Sequence, residues 1–388
     1  MTENTSIVTT TPWRDDFVKL AEFIEANPGI SIKHNAVIIP SDVKEQFYQL
    51  FDIAKASFVK QFCPAAAETG LELSEQYQAV NIKILNETGL SLKDLTSDLT
   101  WFLKDPVDGL ARLIFNPMFK LLANQFEVDE FEQRASTEIN SAFAKLFRDG
   151  YQRWVALSII RRLSPSKSYL FPAVDAIQDG LLGEGHESPG YRRGDVPGAQ
   201  EKNDISFDQH PIITFIVPRI TVHSRRTNTF VAMHSDFREA EWTATIRNSE
   251  MEWITIDDLK AEYGIVKIRP DMMKKIWYEL EPILPDFTFY SSTEVNNLSL
   301  VADFQQMLRP EITIVVIDSH WDESTDTEAL KRRLLSLRPS RGAFVVFRQE
   351  IPPAAVTALG GVDGIELLHV GYDENALEAI ISRFPPAP

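Results

Sequence analysis

Cysteine is almost absent from the sequence, which has Cys63 as its single thiol among 388 residues. One cysteine excludes an intrachain disulfide and a metal site built from four thiolates of one chain. Long apolar runs are also missing. A membrane-spanning helix needs about 20 apolar residues, and stretches such as Ile312 to Ile317 are far shorter. Met1 to Thr11 is polar and lacks the basic and apolar regions of a secretory signal. These absences predict a cytoplasmic protein that does not enter a membrane.

Complete catalytic motifs are missing too. The chain has no Gly-Lys dipeptide and hence no P-loop, no Gly-x-Ser-x-Gly elbow and no His-Glu-x-x-His helix. Gly183 and Gly185 come nearest to a dinucleotide fingerprint, but the third glycine is absent. Asp286 follows a proline, as in the first half of a P-D…(D/E)-x-K nuclease pattern, yet no lysine occurs between Lys275 and Lys331. The missing motifs favour a non-catalytic function.

Positive charge is in deficit, with 39 Lys and Arg against 56 Asp and Glu and a formal net charge of -17. This balance does not favour nucleic acid as a partner, because phosphate binding needs clustered basic residues. The acidic net charge does not exclude a local basic groove. The candidate groove combines arginines that lie among aromatic residues and could hold single-stranded nucleic acid or an acidic partner. These are Arg161, Arg162, Arg192, Arg193, Arg225 and Arg226. The alternative is scattered surface charge, partly favoured by a helix dipole.

The chain is predicted to be an α + α/β multi-domain protein, beginning with a helical domain over residues 12–163. Apolar residues recur there at helical spacing, for example Val43, Phe47, Leu50, Ala54 and Phe58. Six such segments, the last over residues 131–163, predict an antiparallel helical domain. Residues 164–211 carry six glycines between 180 and 198 and are predicted to be a linker or a functional loop.

Residues 212–285 are predicted to be a β-rich region, because short runs of Ile, Val, Thr and Phe alternate with polar turns. A hairpin turn at residues 225–228 would pair Ser224 with Thr229 and place His223 opposite Phe230. His223 and His234 would then share a face of the sheet but lie about 13 Å apart, since each residue rises about 3.3 Å along a strand. One metal ion cannot bridge that distance, so the histidine pair is not predicted to be a metal site.

Residues 286–388 are predicted to be a small doubly wound α/β domain with a mostly parallel four-stranded sheet. Apolar strands at residues 287–290, 312–317, 343–347 and 365–370 alternate with helical segments, including a predicted helix at 298–308. Continuous apolar strands are typical of a parallel sheet that helices cover on both faces.

The best candidate site follows the strand at residues 312–317, since ligands of open α/β sheets bind outside the carboxyl ends of the strands. Five of the eleven residues from Asp318 to Glu328 are acidic. Oxygen ligands with one imidazole suit Mg²⁺ or Mn²⁺. The predicted ligands, drawn from this loop and from neighbouring strand ends, are Asp318, His320, Asp322, Ser291, Ser292 and Glu350. The alternative is that these acids complement a helix N-terminus or decorate a solvated loop.

Three functions remain open from the sequence. The first is an intracellular, non-catalytic binding or assembly protein that has a ligand-binding α/β domain. Such a protein would bind a protein partner or associate with itself. The second is a metal-dependent enzyme that handles phosphoryl groups or nucleotides, centred on Asp318 and Asp322. The third is a nucleic-acid-associated protein that uses the arginine-rich junction. The missing motifs favour the first.

Overall fold

The computed structural model describes most of the helical part and most of the main sheet. It describes residues 12–33, 36–93, 98–170, 199–207, 220–235, 253–255, 285–298, 306–308, 310–318, 321, 326–335 and 338–387. The chain divides into two compact units. Unit 1 comprises Met1–Ala79 and Thr96–Tyr151, and unit 2 comprises Val80–Leu95 and Gln152–Pro388. Together they make a mixed α/β protein with a large mixed sheet.

Helices dominate the amino-terminal half. They are α1 (Pro12–Ala26), α2 (Lys44–Phe62), α3 (Pro64–Ala67), α4 (Thr69–Thr88), α5 (Asp98–Lys104), α6 (Pro106–Ala111), α7 (Phe115–Leu122) and α8 (Val128–Arg162). A short antiparallel hairpin, β1 (Ser31–Lys33) with β2 (Ala36–Ile38), lies between α1 and α2 in the chain. The predicted helical periodicity is thereby confirmed for α2 and α8.

The core of unit 1 is aromatic because α2 presents rings at helical spacing. Phe47, Phe51 and Phe58 are buried on one face of α2. Trp13 of α1 packs edge-on against Phe58, with ring centroids 5.0 Å apart, and also contacts Phe131 of α8. Such rings bury large apolar areas and hold the helices together.

The sequence predicts that the fourth of the six helical segments begins at Ser91, and the structure differs there. Ser91–Leu92 is strand β3 of unit 2, and it pairs in parallel with β6 (Asp204–Ile205). Helix α5 begins only at Asp98. The pairing joins residues more than 100 positions apart, so no local pattern around Ser91 could reveal it.

In the described residues of unit 2, the main sheet has eight strands in the order β14-β13-β12-β10-β8-β7-β4-β5. Only β12, β13 and β14 pair in parallel, and the other neighbours are antiparallel. Its strands are β4 (Pro165–Leu170), β5 (Gln200–Lys202), β7 (Ile220–Ser224), β8 (Thr229–Ser235), β10 (Phe287–Ser292), β12 (Ile312–Ile317), β13 (Gly342–Phe347) and β14 (Ile365–His369). A separate antiparallel pair joins β9 (Trp253–Thr255) to β11 (Gln306–Leu308).

Helices α9 (Thr327–Leu335) and α10 (Pro353–Leu359) connect the parallel strands. Their apolar sides pack on one sheet face, where Val315, Val345 and Leu334 belong to one buried cluster. Thr313 on that face is satisfied because its hydroxyl donates to the carbonyl of Leu334 at 2.7 Å. A 3₁₀ turn (Glu374–Leu377) and the short helix α11 (Glu378–Ile381) follow β14, although the helical spacing of Leu377, Ile380, Ile381 and Phe384 predicts a single helix over residues 376–384.

The separate four-stranded sheet predicted for residues 286–388 is not what the structure contains. All four predicted strands are present, but they belong to the eight-stranded mixed sheet, and β10 runs antiparallel to β12. Of the predicted helix at 298–308, residues 306–308 form strand β11 instead, and residues 299–305 lie outside the described residues. Within the predicted linker at 164–211, the described residues on both sides of 171–198 include strands: β4 pairs with β5 and with β7.

The glycine-rich residues 171–198 and most of the middle region lie outside the described residues. Within 212–285, the described segments form the predicted hairpin of β7 and β8 and the strand β9. In the part of the chain that the structure describes, no helix is both long and apolar enough to cross a bilayer.

Candidate functional site

The carboxyl ends of the parallel strands form one edge of the sheet, called here the Asp318 edge. Asp318 follows β12 and is half-buried. Its backbone oxygen accepts a hydrogen bond from Nε of Arg348 at 2.9 Å. Arg348 follows β13, and its backbone N–H donates to the carbonyl of Ile317 at 3.0 Å. The parallel register therefore brings an acidic and a basic residue to adjacent positions at this edge.

Asp286 joins the Asp318 edge from the other side of β12. Because β10 is antiparallel to β12, the residue that precedes β10 lies near the carboxyl end of β12. The Asp286 carboxylate accepts the backbone N–H of Val316 at 2.7 Å and pairs with Arg333 of α9 at 2.7 Å. Its side chain is only 12% exposed, against 31% for Arg333. Asp286 thus extends the strand ladder and anchors α9 while it adds a second carboxylate to the edge.

Ser291 and Ser292 are not brought to Asp318. They end β10, and the antiparallel pairing places Phe289 opposite Ile312, at the start of β12. Asp318 lies six residues farther along β12, which is about 20 Å. The Ser291 hydroxyl donates to Glu311 at 2.7 Å, and the Ser292 hydroxyl accepts the N–H of Glu294 at 3.2 Å. The sequence prediction assumed a parallel β10, and reversing that strand moves its end to the opposite edge.

The remaining predicted ligands divide between described and undescribed positions. Glu350 is exposed, two residues beyond Arg348. His320 and Asp322 lie outside the described residues, whereas Trp321 between them is half-buried, with its ring 6.0 Å from that of Phe347. Among the residues that the structure describes, no group of three or more His, Cys, Asp or Glu side chains is placed to hold a metal ion. The predicted Mg²⁺ or Mn²⁺ site therefore stays a prediction that depends on His320 and Asp322.

Three of the predicted basic residues meet carboxylates near the end of the chain. Arg161 pairs with Glu87 at 2.5 Å and with Glu374 at 2.7 Å. Arg162 pairs with Glu378 at 2.5 Å, and Arg226 also pairs with Glu378. These contacts gather the three arginines in one place, but each of them faces a carboxylate.

The electrostatics of this cluster are those of a neutralised patch. Hydrogen bonds from Arg226 and then Arg162 lower the pKa of the Glu378 carboxyl to about 2, so it is ionised at every ordinary pH. Arg225 is exposed, and its backbone N–H donates a hydrogen bond to the carbonyl of Ser164 at 3.1 Å. Arg192 and Arg193 lie outside the described residues. Phosphate binding by Arg161, Arg162 or Arg226 would have to compete with these carboxylates, which weakens the case for a nucleic-acid groove here.

The hairpin of β7 and β8 has the predicted register. Ser224 pairs with Thr229, and His223 lies opposite Phe230. His234 is four residues farther along β8, is 3% exposed and packs edge-on against Tyr290. The two histidines therefore lie about 13 Å apart on one face, too far to bind one ion together.

The Asp318 edge thus combines two carboxylates with two guanidinium groups, of which sequence reasoning selected only Asp318. Asp286 was visible as a Pro-Asp dipeptide, and Arg348 as a charged residue directly after a buried strand. A mixed-charge edge of this kind suits a small polar ligand better than an extended polyanion. Comparison of the chain with protein-family models, curated proteins and solved structures gives no match.

Proposed function

We propose that this protein is a cytoplasmic binding protein whose C-terminal α/β part takes a small phosphorylated ligand at the Asp318 edge and catalyses no reaction on it there. The observation that carries the proposal is the position of Arg348 beside Asp318 at the carboxyl ends of adjacent parallel strands. In α/β sheets, ligands bind at this end because loops and strand termini leave polar groups facing a crevice. The missing P-loop, nucleophile elbow and zincin motifs support binding without chemistry on the ligand.

The charges at this edge favour a ligand that carries both an anionic group and hydroxyls. Arg348 is half-buried, which strengthens its interaction with an anion relative to a fully solvated side chain, whereas Arg333 is already paired with Asp286. Asp318 supplies a carboxylate that can accept from ribose-like hydroxyls or bind a cation that accompanies the phosphate. We keep residues 286–388 as the proposed ligand-binding region, in which parallel strands and their crossover helices set the edge.

The alternative functions predict that different additives stabilise the protein against unfolding. A metal-dependent enzyme centred on Asp318 and Asp322 predicts stabilisation by Mg²⁺ or Mn²⁺ alone. A nucleic-acid-associated protein predicts stabilisation by oligonucleotides, which the ion pairs of Arg161, Arg162 and Arg226 do not favour. Self-association or binding to another protein is compatible with the main proposal, and light scattering of the purified chain measures the oligomeric state.

The test is thermal unfolding of the full chain with inorganic phosphate, ADP or ATP, each with and without millimolar Mg²⁺. A ligand that binds only the folded state at one hundred times its Kd adds about 2.7 kcal/mol to the free energy of unfolding. We expect a higher Tm with the nucleotides and a smaller rise with phosphate. A Tm that none of these ligands changes would reject the proposal.

Asp318→Asn is expected to keep the hydrogen bond from Arg348, because that bond uses the backbone oxygen that Asn retains. The variant should lose most of the Mg²⁺-dependent part of the stabilisation, since one anionic oxygen has been removed. Asp363→Asn is the matched control, because Asp363 is exposed and precedes β14, at the opposite end of the parallel strands. Equal ligand responses in both variants would place the ligand elsewhere.

A further inference from the structure

Strand β4 contains a bulge at Ser166. Pro165 pairs with Ser224 and Lys167 pairs with His223, so Ser166 is the extra residue between two consecutive partners on β7. A bulge redirects the side chain of the inserted residue, and bulges are frequent beside active sites. Here the hydroxyl of Ser166 lies 2.8 Å from Nδ1 of His223. Among the described residues, its other hydrogen-bond partner is the carbonyl of His223, at 3.2 Å.

The surroundings of His223 keep its imidazole neutral. The ring is half-buried and packs at 4.9 Å against Phe230, and burial lowers its pKa below the ordinary value of 6.5, with a smaller contribution from the charge of Lys167. Lys167 is itself paired with Glu201 at 2.6 Å. Tyr169 on the same face has a pKa raised by burial and is neutral as well. A neutral imidazole with a hydroxyl at Nδ1 can accept its proton.

We propose that Ser166 is a nucleophile that His223 activates as a general base, and that this pair reacts with small carboxylic esters. Ser166 Oγ forms a bond to the ester carbonyl carbon while its proton passes to His223 Nδ1. The bond between that carbon and the leaving alcohol oxygen then breaks, and the alcohol takes the proton from Nδ1. Water attacks the acyl-serine in the same way, which releases the acid and restores the hydroxyl.

The substrate class follows from what lies beside the pair. Phe230 and Tyr169 are half-buried, and their rings meet edge-on at 5.3 Å on the face that carries His223. Aromatic rings of this kind favour an apolar acyl group. The pair is separate from the Asp318 edge, because β4 lies four strand positions from β12, about 19 Å across the sheet. This activity would therefore be additional to ligand binding at that edge.

The test is labelling of the full-length protein with a fluorophosphonate probe, with the modified residue located by mass spectrometry. In the labelling step Ser166 Oγ bonds to phosphorus, fluoride leaves and the proton passes to His223. We expect a label on Ser166 that Ser166→Ala abolishes. His223→Gln should slow labelling by about 10² to 10⁴-fold, the usual effect of removing a general base. Ser168→Ala is the control, because that buried serine is on the same strand and its hydroxyl donates to a backbone carbonyl.

The pH dependence separates activation from a structural hydrogen bond. Labelling should rise with pH through a midpoint below 6.5, since only the neutral imidazole accepts the proton. Lys167→Gln, at an exposed position, should move that midpoint to higher pH because it removes a positive charge near the ring. If wild type is not labelled, if Ser166→Ala is labelled equally, or if folded His223→Gln reacts as fast as wild type, the proposal is overturned.

Discussion

Glu311 is a residue whose surroundings oppose its charge. Its Oε1 accepts the hydroxyl of Ser291, but Oε2 is enclosed and has no hydrogen-bond partner in the described part of the chain. Burial raises the pKa of the Glu311 carboxyl, against the opposing effects of Ser291 and Arg341. The folded protein therefore favours the protonated form more than the unfolded chain does. At neutral pH the buried, ionised Glu311 carboxylate therefore lowers the free energy of unfolding.

We expect Glu311→Gln to raise the free energy of unfolding at pH 7. A raised pKa stabilises the folded state fully below pH 4.5, which is the pKa of the unfolded chain. This stabilisation is lost as the pH rises through the pKa of Glu311 in the folded state. Glutamine stays neutral at every pH, so its advantage should vanish below pH 4.5. Urea unfolding at pH 4 and pH 7 measures the difference, with the exposed Glu294→Gln as control. A destabilised variant at pH 7 would show that the ionised form is the one the fold requires.

At the scale of elements, Gly109 sets how closely α6 approaches α5. Asp105 caps α6 by accepting the backbone N–H groups of Val107 and Asp108, both at 3.0 Å, and Pro106 fills the first helical position. This sharp turn brings Gly109 against the backbone of Phe102, where an added Cβ would lie 2.8 Å from both Cα and N. The contact is with backbone, which cannot rotate away as a side chain does.

Gly109→Ala is therefore expected to destabilise the protein by about 1 to 3 kcal/mol, the usual cost of overpacking. This loss exceeds the gain of up to about 1 kcal/mol that alanine brings to a helix interior. Gly361→Ala is the matched control, since nothing lies within 4 Å of the position of its Cβ. Chemical unfolding of both variants measures the effect. Equal stabilities would mean that α5 and α6 separate without cost.

Local periodicity was enough to predict β12, α8 and the register of the β7–β8 hairpin. That register depends on a short turn in which Asn228 adopts a left-handed φ of 55°, a conformation asparagine tolerates. Strand direction and distant partners are not encoded locally. The apolar sequence of β10 does not show in which direction the strand runs. The sequence prediction took β10 as parallel to β12 and therefore placed Ser291 at the edge where Asp286 lies. For the site, Arg348 was overlooked in favour of the exposed Glu350, because its contact with Asp318 depends on the pairing of β12 with β13.

At the scale of the whole molecule, the main sheet draws strands from both sides of residues 171–198. Strand β4 precedes that segment and β5 follows it, yet Tyr169 of β4 pairs with Glu201 on one side and with Thr221 on the other. The Ser224 hydroxyl adds a bond to the carbonyl of Leu163 at 2.8 Å. The residues before 171 are thus joined to those after 198 by a strand inside the sheet as well as by the covalent chain.

Cutting the chain between residues 171 and 198 should therefore leave the two fragments associated. A protease site inserted after Gly185 makes the cut specific, and size-exclusion chromatography then follows the fragments. We expect them to elute together in buffer and to separate in urea, because β4 keeps its ladders to β5 and β7. Ser168→Pro should release them, since proline removes a ladder hydrogen bond from a strand with neighbours on both sides. Separation of the unsubstituted fragments in buffer would contradict the placement of β4 between β5 and β7.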